Sequence, residues 1–228
     1  MSSALRAARP PLLHYAPLVL AALLLVALTP INTDLSYQHT IQMGSMIGLA
    51  VLLPYVFSRY VYRDGIITFP LGFKRDRVCI ELLYIGATAI IAYFLLPYYL
   101  TSTGVYHNWT VLPGFGNALR LLIGTEALGL WDELFFVLTI LTILRRYMPF
   151  WYANIVQAIL WTAFLYQLSF RSWGPVFIFV FALLQGYIFL RTKSLLYLLS
   201  IHLTLDFILF LVLVHTHNHA LIDIFVTG

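Results

Sequence analysis

Long apolar stretches alternate with short polar breaks along the chain. A hydrocarbon core ~30 Å thick is crossed by about 20 apolar residues in a helix. Seven stretches come near that length: approximately 15–31, 41–62, 78–100, 119–144, 150–170, 175–190 and 196–214. The breaks between them carry turn chemistry, as in Asn32-Thr33-Asp34, Arg63-Asp64-Gly65, Thr101-Ser102-Thr103-Gly104 and Arg171-Ser172-Trp173-Gly174. This pattern predicts an all-α polytopic membrane protein with about seven transmembrane helices. With no repeat and no soluble insert, residues 1–228 read as a single transmembrane domain. The sixth stretch is the shortest and the least able to cross alone.

Composition narrows this further. The chain is 61% hydrophobic and only 10% charged, where a soluble domain carries ~25% charged residues. A water-soluble globule of 228 residues could not hide so much apolar surface. The net charge of +4 follows from membrane orientation, so no nucleic-acid partner is expected. With the N-terminus cytoplasmic, eleven basic residues fall on the cytoplasmic side: Arg6, Arg9, Arg59, Arg63, Lys74, Arg75, Arg77, Arg145, Arg146, Arg191 and Lys193. Only Arg120 and Arg171 fall opposite, and seven crossings then leave the C-terminus outside. The first stretch reads as a retained anchor, because no clean small-residue cleavage site follows Thr29-Pro30. Short loops without a transit signal point to a prokaryotic plasma (inner) membrane. The one cysteine, Cys79, excludes an internal disulfide and reads as a small buried hydrophobe. Gly44-Ser45-Met46-Ile47-Gly48 has the G-x-x-x-G form of a helix contact.

Ionisable residues at membrane depth are functional candidates, since a charge at the bilayer centre costs ~2.5–3.5 kcal/mol. Glu81 begins the third stretch, Glu126, Asp132 and Glu133 lie in the fourth, and His202 and Asp206 lie in the seventh. Three acids in one span must be protonated, paired, hydrated or bound to a cation. Glu126 and Glu133, seven apart, share a helix face, while Asp132 is turned ~100° from Glu133. His202 and Asp206 stack one turn apart, a spacing suited to a carboxylate-oriented imidazole or to two ligands of one metal. At 1.5 Å per residue, Glu133 lies about 18 Å from Arg145, and His202 and Asp206 roughly 14–20 Å from Lys193. Both helices therefore place polar groups at one level, and Trp131 beside Asp132 is a candidate cavity wall. His215, His217 and His219 near the C-terminus read as an exposed polar tail rather than a metal site.

Trp131-Asp132-Glu133-Leu134-Phe135-Phe136-Val137 resembles the E-E-x-x-x-R motif of the CPBP intramembrane proteases, also called Abi. That family includes prenyl-CAAX endopeptidases and bacteriocin-processing or immunity proteins. Gly186-Tyr187-Ile188-Phe189-Leu190-Arg191-Thr192-Lys193-Ser194-Leu195 is similar to its glycine-aromatic turn. His202-Leu203-Thr204-Leu205-Asp206 is similar to its H-x-x-x-N/D motif. The resemblance covers about 127–210 and implies a CPBP-like core at about 119–214. Three positions depart from the family: Asp132 stands for the leading glutamate, Val137 for the arginine, and Leu168 for the histidine of the F-x-x-x-H motif begun by Phe164. Gln167, next to Leu168, is the nearest polar substitute but is turned ~100° away.

The resemblance implies that Asp132 serves as general base, Glu133 as supporting acid, and His202 with Asp206 as the pair stabilising the oxyanion. Glu126, Trp131 and Gln167 would line the cavity. Any metal, a divalent ion such as zinc, would be held by His202, Asp206 and Glu133. Three functions stay open. One is an intramembrane endopeptidase, of full or reduced activity, acting on a membrane-bound or lipidated protein. Another is a catalytically silent scaffold or accessory subunit that holds a partner helix or lipid. The last is a small transporter coupled to protons or cations.

Overall fold

The computed structural model describes residues 12–72, 78–218 and 222–225. Arg6, Arg9, Lys74, Arg75, Arg77 and His219, used in the charge and histidine readings, lie outside the described residues. Each of the seven apolar stretches forms a helix: α1 (Leu12–Leu28), α2 (Tyr37–Val61), α3 (Val78–Thr103), α4 (Phe115–Leu144), α5 (Phe150–Gln167), α6 (Gly174–Thr192) and α7 (Leu195–His217). There is no strand among the described residues. The protein is an integral membrane protein, and α2, α3, α4, α6 and α7 are each long and apolar enough to cross a bilayer.

The expectation for the sixth stretch is corrected here. Helix α6 has the length and apolarity to cross, while α1, with 17 residues, and α5, with 18, fall short of the other five. Polar Asn154 and Gln157 interrupt the apolar run of α5, and both are fully buried against α6. Asn154 donates to the Leu183 carbonyl and Gln157 to the Ala182 carbonyl. A Cβ on Gly186 would lie 1.9 Å from the Asn154 Oδ1, so glycine is what lets α5 and α6 close on this polar layer.

Helix α4 is the centre of the bundle. Of its most apolar stretch 67% is buried, against 11% for α3, whose outer face meets lipid. It packs on α2, on α5 and along α7, while α3 covers the far side of α7 and α1 pairs with α2. The single Cys79 is exposed at the start of α3, not buried as expected, because α3 leaves most of its surface unpacked against the rest of the bundle.

The loops fix which ends of the helices lie together. At one end Leu195 N–H bonds the Pro70 carbonyl, and Tyr15 hydroxyl bonds Asp64. At the other, Thr33 bonds the Asn108 carbonyl, Arg120 the Leu35 carbonyl, and Tyr99 the Arg171 carbonyl. Arg59, Arg63, Arg145, Arg146, Arg191 and Lys193 thus belong to the first end, and Arg120 and Arg171 to the second. Lys193 enters α7 with a left-handed backbone (φ 54°) and Ser194 caps the helix by accepting from Tyr197 N–H. Partial burial and the nearby Arg145 hold the Lys193 ammonium below its usual pKa.

At the far end of α7 the chain turns back. His215 is buried rather than exposed, with Nδ1 3.0 Å from the Ile222 carbonyl and 3.7 Å from Asp223, while Tyr93 of α3 donates to the Ile224 carbonyl. The returning segment supplies the cover that an apolar histidine-rich helix end needs, which periodicity within α7 does not reveal.

Candidate active site

Helices α4 and α7 touch where α4 has no side chain. A Cβ on Gly129 would lie 1.9 Å from Asp206 Oδ2 and 3.2 Å from His202 Cδ2, so only glycine permits the approach. One turn later α4 widens into a π-helix over Glu133–Leu141. Its bonds run five residues back, and the hydroxyls of Thr139 and Thr142 follow the same step onto the carbonyls of Leu134 and Val137. Such widened turns re-aim side chains and concentrate at functional sites. Here the change falls between the two adjacent acids: Asp132 ends the α-helical part and Glu133 opens the π-helical part.

Both acids are fully enclosed, Asp132 at 1% exposure and Glu133 at 0%. Glu133 Oε1 accepts from Gln185 Nε2 of α6 at 2.8 Å and lies 3.0 Å from His202 Nδ1. The other ring nitrogen, His202 Nε2, is 3.7 Å from Asp206 Oδ2, an ion-pair distance but too long for a hydrogen bond. The imidazole is packed between Trp161 of α5 and Phe181 of α6, with centroids 5.4 and 5.2 Å away. It is therefore fixed by a carboxylate on one edge and by rings on its flanks.

In front of this group is a cavity of about 40 Å³, lined by Asp132, His202, Asp206, Gly129, Thr125 and Leu168 among others. That is room for one or two waters. Glu133 does not line it and stands behind the imidazole. Asp132 Oδ1, Glu133 Oε2, Asp206 Oδ2, Gln157 Oε1 and Gln185 Oε1 are buried and without a hydrogen-bond donor. A buried acceptor left unmatched costs about 1–3 kcal/mol. The site is built to receive donors: water, a substrate N–H, or protons on the carboxyls themselves.

The structure sorts the sequence candidates. It brings Asp132, Glu133, His202 and Asp206 together, with Glu126 half-buried within electrostatic range of His202 and Asp206. None of Glu126, Trp131 and Gln167 lines this small cavity, although Trp131 lines a larger hollow between α2 and α4. Gln167 is exposed at the end of α5, because the turn that carries Leu168 into the cavity rotates its neighbour outward. Trp131 is buried but faces α2: its indole N–H donates to the Ile47 carbonyl at 2.6 Å, and its ring stacks on Phe135. The indole beside His202 is that of Trp161 instead. Gly129, Trp161 and Gln185 were missed by sequence reasoning. An amide in a hydrocarbon span is costly for the same reason as an acid, and that signal marks Gln185, Gln157 and Asn154.

The donor set does not fit a divalent metal. No group of three His, Cys, Asp or Glu side chains converges as ligands among the described residues. Each ring nitrogen of His202 is turned to a different carboxylate, and Glu133 Oε1 already holds two partners.

Residues 114–208 match the family model for Rce1-like type II CAAX prenyl endopeptidases. The Rce1-like segment runs from the start of α4 into α7 and contains all four clustered residues. It is consistent with the CPBP family on which the sequence motifs converge. No curated protein and no solved structure matches the chain.

Proposed function

We propose that this protein is a CPBP-type intramembrane endopeptidase that hydrolyses a peptide bond in a membrane-bound or lipidated protein. The observation that carries this reading is the enclosure of Asp132, His202 and Asp206 around one water-sized cavity inside a segment similar to prenyl endopeptidases. Asp132, open to that cavity, takes a proton from water as the hydroxyl adds to the scissile carbonyl carbon. His202 donates to the oxyanion, and its proton passes to the leaving amine when the C–N bond breaks. Glu133 acts through His202: it fixes the ring's orientation and supports its charged form. Asp206 faces the other edge, and Gln185 keeps the Glu133 carboxylate in place. The proposed setting is a prokaryotic inner membrane, with the basic helix ends in the cytoplasm and the N-terminus on that side.

The test uses proteoliposomes holding the full chain and a panel of membrane-anchored peptides, with and without a lipid group. Wild-type protein should release product, while Asp132→Asn and His202→Ala should release none although both still elute at the wild-type volume as folded protein. Equal product from all three proteins would overturn the proposal.

A second reading is favoured by Leu168. This side chain stands at the position of the family's histidine and lines the cavity as hydrocarbon. Nothing replaces the missing imidazole, and a general base or acid contributes ~10²–10⁴ in rate. A silent relative that holds a partner helix or lipid would carry such a replacement at no cost. It would yield no product with any peptide, and it would co-purify with a stoichiometric partner.

A further inference from the structure

The G-x-x-x-G of α2 does not pack against a helix. Gly44 and Gly48 are exposed, and a Cβ on either would meet nothing within 4 Å. They form one wall of a hollow of about 270 Å³ between α2 and α4, whose opposite wall includes Leu121, Leu128 and Trp131. Asn32, Thr33 and Asp34 form its rim. The inner end shares Trp109, Thr125, Leu128 and Leu168 with the small acidic cavity, but the walls between are almost wholly apolar. Two buried polar groups on this lining lack partners. His39, only 9% exposed, leaves Nε2 unmatched, and Trp109, 6% exposed, leaves its indole N–H unmatched. An indole nitrogen can only donate, so what it lacks is an acceptor oxygen.

We propose that this hollow is a binding site for the single acyl chain of a zwitterionic lysolipid drawn from the surrounding membrane. The unmatched polar groups decide against a helix: a membrane helix pairs its own backbone carbonyls, so it would leave the Trp109 indole N–H without an acceptor. Apolar cavities of this kind stay dry and take up hydrocarbon. From His39 to Gly48 the wall runs about 13 Å along α2, and a hollow of about 270 Å³ over that length seats part of one chain and leaves no room for a second beside it. The ester oxygens supply the acceptor that the Trp109 N–H lacks, and they accept from His39 Nε2 when that nitrogen carries the proton. At the rim, the Ser36 backbone N–H and hydroxyl hold the Asp34 carboxyl below its usual pKa, and a carboxylate there favours a head that carries a cation. The inference does not depend on peptide cleavage, since no catalytic side chain is needed to seat the lipid.

The test is titration of the purified full chain, in detergent, with lysophosphatidylcholine carrying a brominated acyl chain. Bromine quenches indole fluorescence on contact, and Trp109 and Trp131 both line the hollow. Saturable quenching is expected in wild type. It should be lost in Gly48→Leu, whose side chain fills open space, and weakened about five-fold in His39→Leu, the worth of one hydrogen bond. Gly44→Leu serves as the equivalent plug should Gly48→Leu not fold. Quenching that never saturates, or that is equal in wild type and plugged variants, would overturn the proposal. So would a wild-type dimer that Gly48→Leu splits without change in quenching, which would make this face a helix contact.

Discussion

Gly129 on α4 and Asp206 on α7 are in contact: a Cβ at the glycine would stand 1.9 Å from the carboxylate oxygen. The missing side chain brings the two helices close enough for Glu133 to reach His202. Gly129→Ala must therefore push α7 outward or turn Asp206 away. Overpacking of this kind costs about 1–3 kcal/mol, and a displacement of 1 Å at reacting groups can cost ~10²-fold in rate. The expected outcome is a folded protein with a lower melting temperature and at least that loss of cleavage. Wild-type values for both would show that the contact does not hold the site.

The contact between Glu133 and His202 is open to measurement as a coupling. Glu133→Ala and His202→Ala each remove one partner, and the double variant removes both. Contacting residues in a buried network couple by about 0.5–3 kcal/mol. Unfolding free energies in detergent should accordingly be non-additive by that amount. Gln185→Leu, which takes the other donor from Glu133 Oε1, should cost about 1–3 kcal/mol alone and lose most of that effect in the Glu133→Ala background. Additive values throughout would mean that the side chains do not act together.

Orientation can be read from the one cysteine. Cys79 is exposed at the start of α3, on the end that carries Arg145, Arg191 and Lys193. With that end cytoplasmic, a membrane-impermeant maleimide should label Cys79 in inverted vesicles and spare it in intact cells. The opposite pattern would reverse the topology, leaving the fold itself untouched.

Much of this was legible because lipid makes strong demands. A crossing helix must be long and apolar, so seven stretches could be marked from hydropathy alone, and ionisable residues at membrane depth stood out, among them Asp132, Glu133, His202 and Asp206. The helix ends followed less closely, as the four extra residues at the start of α4 show. What stayed hidden depends on contacts between helices. The widened turn at Glu133–Leu141 has no sequence mark in a run of apolar residues. Trp161 looks like any mid-span aromatic until α5 is set against α7, and Gly129 like any small residue until Asp206 faces it. Gly44 and Gly48 carried a pattern that means close packing elsewhere, yet here they bound open space. A pattern of small residues states only that another group can come near, and says nothing of which group does.

Leu168 offers the sharpest test of whether catalysis survives in this chain. It closes the helix that should present a histidine, and it already lines the cavity with Asp132, His202 and Asp206. Leu168→His would place an imidazole where only hydrocarbon now stands, in a space of about 40 Å³ that a ring partly fills by replacing the leucine. Should the chain be an impaired endopeptidase, cleavage should rise by about 10²–10⁴, the usual contribution of a general acid or base. Asp132→Asn in the same background should abolish the gain. A stable Leu168→His protein with no cleavage on any peptide would favour the silent relative, since the imidazole would then be restored and only the shortened acid and Val137 would still depart from the family. Asp132→Glu and Val137→Arg added to Leu168→His remove the two differences that are left, and continued silence of a folded triple variant would end the protease reading.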